Sequence, residues 1–593
     1  MCMKKLYHNW KIEKIFKGYL NNQLRQTPAI WDDPKFKLPK SRLDYTDLWK
    51  KAPKAKPYVK KRSTNVIYQL LVYNFADGNN DALGDFIGLK NKIPYLVDLG
   101  IDQLWLSPIQ PTSSYHGYSV IDYCAVAEQL GGMDAFVEFL SAAHENGIKV
   151  YLDLVFNHTS YEHPWFQKAL YKDPLYEAFY RLDPSYQDSD VKKDTQKIRS
   201  KYHRLDQNIQ ASNRQYLARF AYGMPDLNLD NELVIKQLIE IQKFWTTVGV
   251  DGFRYDAIAE FYSSEQETKH NFNEAKIFSM LRQASNEITS LEQNRDEVFM
   301  IGEWVFTDPL KALEYTTYNG LQALDTIYDG FKYFRQNPDV RIKYQDLKEV
   351  VTKYYNASAK TKWVPFLDNH DVLRWLNHYR SEVLNLKPHE HNKKLSSLEF
   401  DAQRIALMQL LALPATPIIY YGDELFYYGT RIYGDPSLRE PMKWDNKQEN
   451  CYIFDNKVKE SDKDHVLLTS ALTLDSADKA RKDQRSLYTF LKYLISLREK
   501  YPFITKTNPN TILDPYEVID TLDYSSFIVR LNPNNQNMLL LFGFCNYQNN
   551  SLSAIKISRK YHFKPLYLYK AKNNSWNIEI EQGGLIIFEL IRK

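Results

Sequence analysis

Four short segments carry carboxyl groups at or just beyond an apolar run. They are Asp153 with Asn157 and His158 in DLVFNH, Arg254 with Asp256 in GFRYDA, Glu303 in IGEW, and Asp371 behind Asn369 and His370 in DNHD. Carboxyl groups gathered in one cleft can divide acid, base and nucleophile roles, because burial and neighbouring charges push their proton affinities apart. A single buried Asp or Glu more often caps a strand end or completes an ion pair. Four such strand ends facing one mouth make a catalytic centre the better reading. A second oxygen-rich run, Asp77-Gly78-Asn79-Asn80-Asp81-Ala82-Leu83-Gly84-Asp85, sets side-chain oxygens at alternate positions, which suits a hard cation such as Ca2+. It is not an EF-hand, since its sixth position is Ala82 and its twelfth Gly88. The same run also reads as an Asx-rich turn.

The four segments can meet only if the strands that end in them lie side by side. Eight apolar runs, 65–73, 101–108, 149–156, 250–257, 298–304, 323–329, 362–369 and 416–424, alternate with amphipathic helical patterns. One helix places Phe136, Phe139, Leu140 and Ala143 on a single face and stops at Gly147. Another gathers Val234, Ile235, Leu238, Ile241 and Trp245 and stops at Gly249. Eight such units predict an α/β fold, a (β/α)8 TIM barrel with its chemistry at the C-terminal strand ends. The connection 159–228 is too long for a plain loop and predicts an inserted domain after the third strand. Beyond a helical run at 484–500, short strands with Asn and Pro turns predict a C-terminal antiparallel β-sandwich domain over 503–593. The barrel then occupies 63–158 and 229–502, behind an N-terminal extension of 1–62.

Composition narrows the class. Over 593 residues, 44% hydrophobic and 25% charged content fits a soluble globular protein and excludes a disordered or fibrous one. A net charge of +4 is too small for a chain of this length to suggest a nucleic-acid partner. The extension is different: it holds 17 Lys and Arg against 5 Asp and Glu, so the remainder is acidic. Trp10, Phe16, Trp31 and Trp49 are too many large aromatics for a purely disordered tail, so part of it is expected to pack on the barrel or to support self-association. Cys2, Cys124, Cys451 and Cys545 show no CxxC pairing and read as reduced thiols rather than a metal or disulfide framework. The N-terminus lacks an apolar signal core, and no stretch approaches ~20 uncharged apolar residues, so the expected location is cytoplasmic with no membrane partner.

In this order the four segments resemble the signature regions of the α-amylase superfamily, glycoside hydrolase family 13. Met224-Pro225-Asp226-Leu227-Asn228 resembles a fifth region, and HGYSVIDY, TPIIYYGDE and PMKWD extend the likeness over roughly 63–593. The resemblance implies Asp256 as nucleophile, Glu303 as general acid/base and Asp371 as the residue that stabilises the transition state. It implies Tyr118, His158, Arg254 and His370 as substrate contacts, with the Tyr118 ring stacking on a pyranose and the histidines bonding sugar hydroxyls. Retaining cleavage needs an ionised and a protonated carboxyl about 5 to 5.5 Å apart. Arg254, two residues before Asp256 on the same strand face, is expected to keep Asp256 ionised, and Glu303 beside Trp304 is expected to be raised. The run Asp77, Asn79, Asp81, Asp85 resembles the metal loop of oligosaccharide-cleaving members, which favours a structural Ca2+.

The implied function is retaining hydrolysis of α-1,4 bonds in maltodextrin-type oligosaccharides, with an α-glucan as partner and the extension as a possible oligomer or glucan-binding surface. The alternatives are a glucanotransferase or trehalose synthase, an oligo-1,6-glucosidase or, last, a non-catalytic sugar-binding protein. Two departures from the family pattern bear on the choice. Gly117-Tyr118-Ser119 stands where many exo-acting relatives have GYD, and Ala259-Glu260 stands where many amylases have Lys-His. Ala257, directly after Asp256, matches the small residue that accompanies α-1,4 cleavage in the family.

Overall fold

Side chains alternate along a strand, so each apolar run must satisfy two environments at once. The computed structural model describes residues 43–114, 116–183, 202–204, 215–261, 273–293, 295–304, 309–328, 344–357, 361–387, 390–391, 393–429, 435–451, 474–521, 525–545 and 553–593. Parallel strands β1 (Ile67–Leu70), β2 (Gln103–Leu106) and β3 (Lys149–Leu154) precede an inserted antiparallel sheet of β4 (Leu182–Asp183), β5 (Tyr202–Arg204) and β6 (Gln215–Leu217). The parallel series resumes with β7 (Gly252–Tyr255) and β8 (Phe299–Glu303). After a hairpin of β9 (Thr317–Tyr318) and β10 (Leu321–Gln322), it continues with β11 (Thr326–Tyr328) and β12 (Ile418–Tyr420). The order is β11-β8-β7-β3-β2-β1-β12. The run at 362–369 closes the ring through single bridges, Val364 to Tyr328 and Phe366 to Ile418.

Ile67, Trp105, Tyr151, Ile301, Tyr328, Val364, Phe366 and Ile418 form one apolar cluster inside the barrel. Their strand neighbours Val66, Tyr68, Leu104, Val150, Met300, Ile327 and Ile419 join the larger core beneath the helices. This is the filled interior expected of a TIM barrel. A Cβ at Gly252 would lie 2.5 Å from the Tyr151 ring, so β7 has to begin with glycine. The helices Gly132–Glu145 and Glu232–Val248 bury the faces expected of them, and the Asn231 side chain caps the second by accepting from Leu233 N–H.

The C-terminal strands are β13 (Ile512–Leu513), β14 (Ile519–Thr521), β15 (Ser525–Leu531), β16 (Met538–Cys545), β17 (Ser553–Ile557), β18 (Tyr561–Asn574) and β19 (Asn577–Arg592). They form one antiparallel sheet in the order β13-β15-β16-β19-β17-β14, with β18 also paired to β19. Ile528, Leu540, Phe542, Leu585 and Ile587 face the barrel core, while Val529, Leu539, Leu541, Ile586 and Phe588 enclose a second core with Ile555 and Ile578.

The described part of the extension, residues 43–62, lies against the barrel helices. Tyr45 is fully buried edge-on to Tyr123 and Trp165, and its hydroxyl accepts from Tyr123 N–H. Asp47 N–H donates to Glu240, Ala55 N–H to the Val248 carbonyl and Val59 N–H to the His144 carbonyl. Trp10, Phe16 and Trp31 fall outside the described residues. Among the described residues no helix is long and apolar enough to cross a membrane.

Candidate active site

Arg254, in the interior-facing register of β7, is fully buried and serves several carboxylates at once. Its Nη1 donates to Asp153 Oδ1 at 2.7 Å and Oδ2 at 3.0 Å, and to Asp256 Oδ1 at 2.7 Å. Its Nη2 lies 2.9 Å from Glu303 Oε2 and donates to the Tyr328 hydroxyl at 3.0 Å. The rings of Trp105, Tyr118 and Tyr328 surround the guanidinium with centroids 5.3 to 5.8 Å away, and their faces favour the cation.

This sharing reverses one expectation. Burial pushes the Asp256 carboxyl well above the usual carboxylate range; Arg254 pulls it back, but the charges of Glu303 and Asp153 add to the rise. Burial raises Asp153 as well. One guanidinium cannot hold three neighbouring carboxylates ionised, so the cluster binds a proton more readily than isolated carboxyl groups would. Asp371 is the opposite case. Burial alone would raise it, but His370, with Nε2 2.9 Å from Oδ2, and Arg439, donating to Oδ1 at 2.9 Å, hold it well below the usual range.

Glu303 ends β8 and accepts from Ala257 N–H at 2.7 Å and from the Tyr328 hydroxyl at 3.0 Å. Ala257 supplies that N–H from a left-handed conformation, φ 49° and ψ 43°, which is rare for a residue other than glycine. Tyr118 stacks on His370 with ring centroids 5.4 Å apart and planes 2° apart. The Tyr118 hydroxyl donates to Asp153 at 2.9 Å and lies 2.5 Å from His370 Nε2. His158 reaches the cluster indirectly: its Nε2 lies 3.0 Å from the Tyr118 carbonyl. Burial pushes His158 down to about 4 and His116, stacked against Tyr118, down to about 3, so both rings are neutral and can accept as well as donate.

Thus Asp256, Glu303, Asp371, Tyr118, Arg254 and His370 come together at one barrel mouth, with His158 behind Tyr118. Sequence reasoning passed over Tyr328, Gln69, whose Nε2 lies 2.6 Å from His370 Nδ1, and Arg439, whose Nε donates to the His370 carbonyl. Tyr328 stood at the end of an apolar run and could have been found by the strand-end rule. Arg439 follows Asp371 by 68 residues and carries no local signal.

The loop 77–85 lies apart as a network of Asx turns. Asp77 accepts from Asn79, Asn80 and Ala82 N–H, Asn79 from Asp81 N–H, and Asp81 from Leu83 N–H. Asp85 accepts from Gly78 and Gly88 N–H and caps the helix Phe86–Asn91. Among the described residues no group of three or more His, Cys, Asp or Glu side chains is placed to hold a metal ion. What the loop offers is the donor type a hard cation takes, oxygen side chains on Asp77, Asn79, Asp81 and Asp85. Burial raises Asp85, and the charges of Asp77 and Asp81 add to the rise while the Gly78 and Gly88 N–H groups oppose it; Asp77 Oδ1 already accepts two N–H bonds, and the other bonded carboxylate oxygens of the loop accept one each.

The family described as "Alpha amylase, catalytic domain" matches residues 69–507. The chain belongs to the alpha-amylase family. Alpha-amylase 3 of Dictyoglomus thermophilum is 27% identical over 88% of this chain and 93% of its own length. The 4-alpha-glucanotransferase of Thermotoga maritima is 32% identical over 64% of this chain and 76% of its own length. The oligo-1,6-glucosidase of Bacillus cereus is 28% identical over 70% and 74%. The crystal structure of alpha-amylase from H. orenii superposes with a TM-score of 0.69 at 24% identity, covering 90% of this chain and all of that one, which bears on the fold. As an alpha-amylase family member the protein is an enzyme that acts on glucosidic bonds.

Proposed function

We propose that the protein hydrolyses α-1,4-glucosidic bonds of maltodextrin-type oligosaccharides with retention. The observation that carries this is the guanidinium shared by Asp256 and Glu303, which keeps the two carboxyl groups as close neighbours, as a double displacement needs. The proton that the cluster binds must sit on Glu303 for this step: Asp256, ionised, attacks the anomeric carbon while Glu303 gives that proton to the departing glycosidic oxygen. Glu303 then takes a proton from water as that water displaces Asp256. Asp371, held ionised by His370 and Arg439, opposes the positive charge that develops on the sugar. Tyr118 offers a ring face to the pyranose, and the neutral His158 ring lies behind it and the His370 ring beside it for sugar hydroxyls.

The test is product analysis on maltotriose, isomaltose, sucrose, trehalose and soluble starch. The expected result is kcat/KM on maltotriose exceeding that on isomaltose by roughly tenfold or more, since a pocket difference of one or two methyl groups discriminates by about that much. Faster cleavage of isomaltose overturns the α-1,4 reading. A second reading, transfer of the glycosyl group to an acceptor sugar, is favoured by the likeness to a glucanotransferase and gives longer oligosaccharides from maltotriose alone.

We further propose that Asp77, Asn79, Asp81 and Asp85 hold one Ca2+, which neutralises the loop's charge and takes no part in catalysis. Cys451, a buried free thiol, supports a reducing compartment and so a cytoplasmic location. Oligomerisation through the extension is proposed on its aromatic content alone.

A further inference from the structure

Tyr328 has no part in the chemistry proposed above, yet it touches two of the groups that carry it. In the parallel pairing of β11 with β8, Tyr328 is the register partner of Glu303, so the two side chains leave adjacent strands on the same face. Its ring belongs to the apolar cluster inside the barrel, with Trp105 at 5.5 Å and Phe366 at 5.3 Å between centroids, and the residue is 2% exposed. The hydroxyl lies 3.0 Å from Arg254 Nη2 and 3.0 Å from Glu303 Oε1. A guanidinium can only donate. The phenol therefore accepts from Arg254, and its single proton must go to Glu303.

We infer that Tyr328 is a positioning residue for Glu303: its hydroxyl, oriented by Arg254, fixes the carboxyl group and stabilises its ionised form. This rests on the reading of Glu303 as the acid/base. The groups around Glu303 are Asp153 on β3, Arg254 and Asp256 at the end of β7, the main-chain N–H of Ala257, Tyr328 on β11, and Asp371, whose charge reaches the Tyr328 hydroxyl. Within that set Arg254 is shared among three carboxylates, which leaves Tyr328 as the donor directed to Oε1. Donating to a carboxylate favours the ionised form over the protonated one. When Glu303 has released its proton to the leaving group, the phenol stabilises the anion left behind; before that, it holds the carboxyl in one rotamer.

Tyr328→Phe keeps the ring and removes the donor. The expected result is an alkaline limb of the kcat/KM profile moved to higher pH by about one unit, as loss of a hydrogen bond to a charged group implies. A kcat on maltotriose reduced roughly tenfold with KM within about twofold should accompany it. With α-maltosyl fluoride, whose leaving group departs without protonation, the kcat deficit should largely vanish. A ring that serves packing alone would lower the melting temperature and leave the pH profile in place, so superimposable profiles beside an inactive Glu303→Gln overturn this inference alone. If Glu303→Gln keeps activity within tenfold of wild type, the acid/base reading falls and this inference falls with it.

Discussion

Arg254 and Arg498 are both fully buried, yet they have opposite kinds of partner. Arg254, at the C-terminal ends of the strands, faces Asp153, Asp256 and Glu303. Arg498, on the helix Leu487–Lys500, donates to main-chain carbonyls: Thr64 and Asn65 leading into β1, and Leu411, Leu413 and Ala415 ahead of β12. Arg530 on β15 is similar, with the carbonyls of Ala412, Ile504, Phe503 and Thr511 and the Thr511 hydroxyl as acceptors. Burial pushes Arg498 and Arg530 down to about 9, which leaves both charged at neutral pH, whereas its carboxylates hold Arg254 well above the usual value against the opposing effect of burial. A carbonyl is a fixed dipole, so a cation bonded to carbonyls ties chain segments together and nothing more. Carboxyl groups exchange protons, so the same cation among carboxylates sets which of them is charged.

The widest gap between the two regions should come from the carboxylates. Asp256→Asn and Glu303→Gln should each lower kcat by about a thousandfold or more while the fold survives, since both changes are nearly isosteric. Asp256→Asn should also raise the melting temperature at pH 7. A carboxyl raised by burial contributes stability when protonated and loses it as pH climbs from about 4 through the folded-state value, so the advantage of the variant should shrink as pH falls. Activity within tenfold of wild type in either variant breaks the assignment. A lower melting temperature in Asp256→Asn at pH 7 breaks the electrostatic account.

Arg498→Met is the converse. Losing the cation leaves several buried carbonyls without a donor and should cost about 3 kcal/mol or more by denaturant titration, with kcat per folded molecule unchanged. A fall in kcat at full folding would erase the distinction between the two arginines.

Chelation addresses the acidic loop 77–85. If Ca2+ binds 77–85, removing it should lower the melting temperature, with a loss of about 2.7 kcal/mol when free ion stands at a hundred times Kd. An unmoved melting curve together with no metal by elemental analysis removes the site.

The smallest effect is expected at His144, where Nδ1 lies 2.6 Å from the Lys56 carbonyl and Nε2 2.9 Å from Asp251. Burial would lower this ring, but Asp251 and the Lys56 carbonyl more than offset it and leave the value raised. Its contribution is full below about pH 6.5 and fades as pH rises through the raised folded-state value. The melting temperature of wild type should therefore fall more between pH 6 and 9 than that of His144→Gln. Parallel curves would show that the extension is held without this charge.

Much of the site was legible because chemistry and position coincide in a barrel. Asp256, Glu303 and Asp371 each stand where an apolar run ends, and in this fold every such end faces the same mouth. Arg254 was legible from its two-residue spacing to Asp256. The proton balance was not, because it depends on Asp153 and Glu303, distant in sequence, drawing on the same guanidinium. The left-handed backbone at Ala257 was equally hidden; it means that Ala257→Val, a natural test of bond preference, carries backbone strain of its own.

The sequence alone determined the eight strand runs, the helix faces, the inserted and C-terminal domains and the carboxyl groups proposed for catalysis, since these follow from local periodicity and from motifs a few residues long. Only the tertiary structure decided which polar groups pair: Arg439 with Asp371 as an ion pair, Gln69 with His370 and Tyr328 with Glu303 as hydrogen bonds. Those contacts join residues on separate strands and loops, and electrostatic energy in a buried site depends on distances of a few ångström that a linear order does not contain.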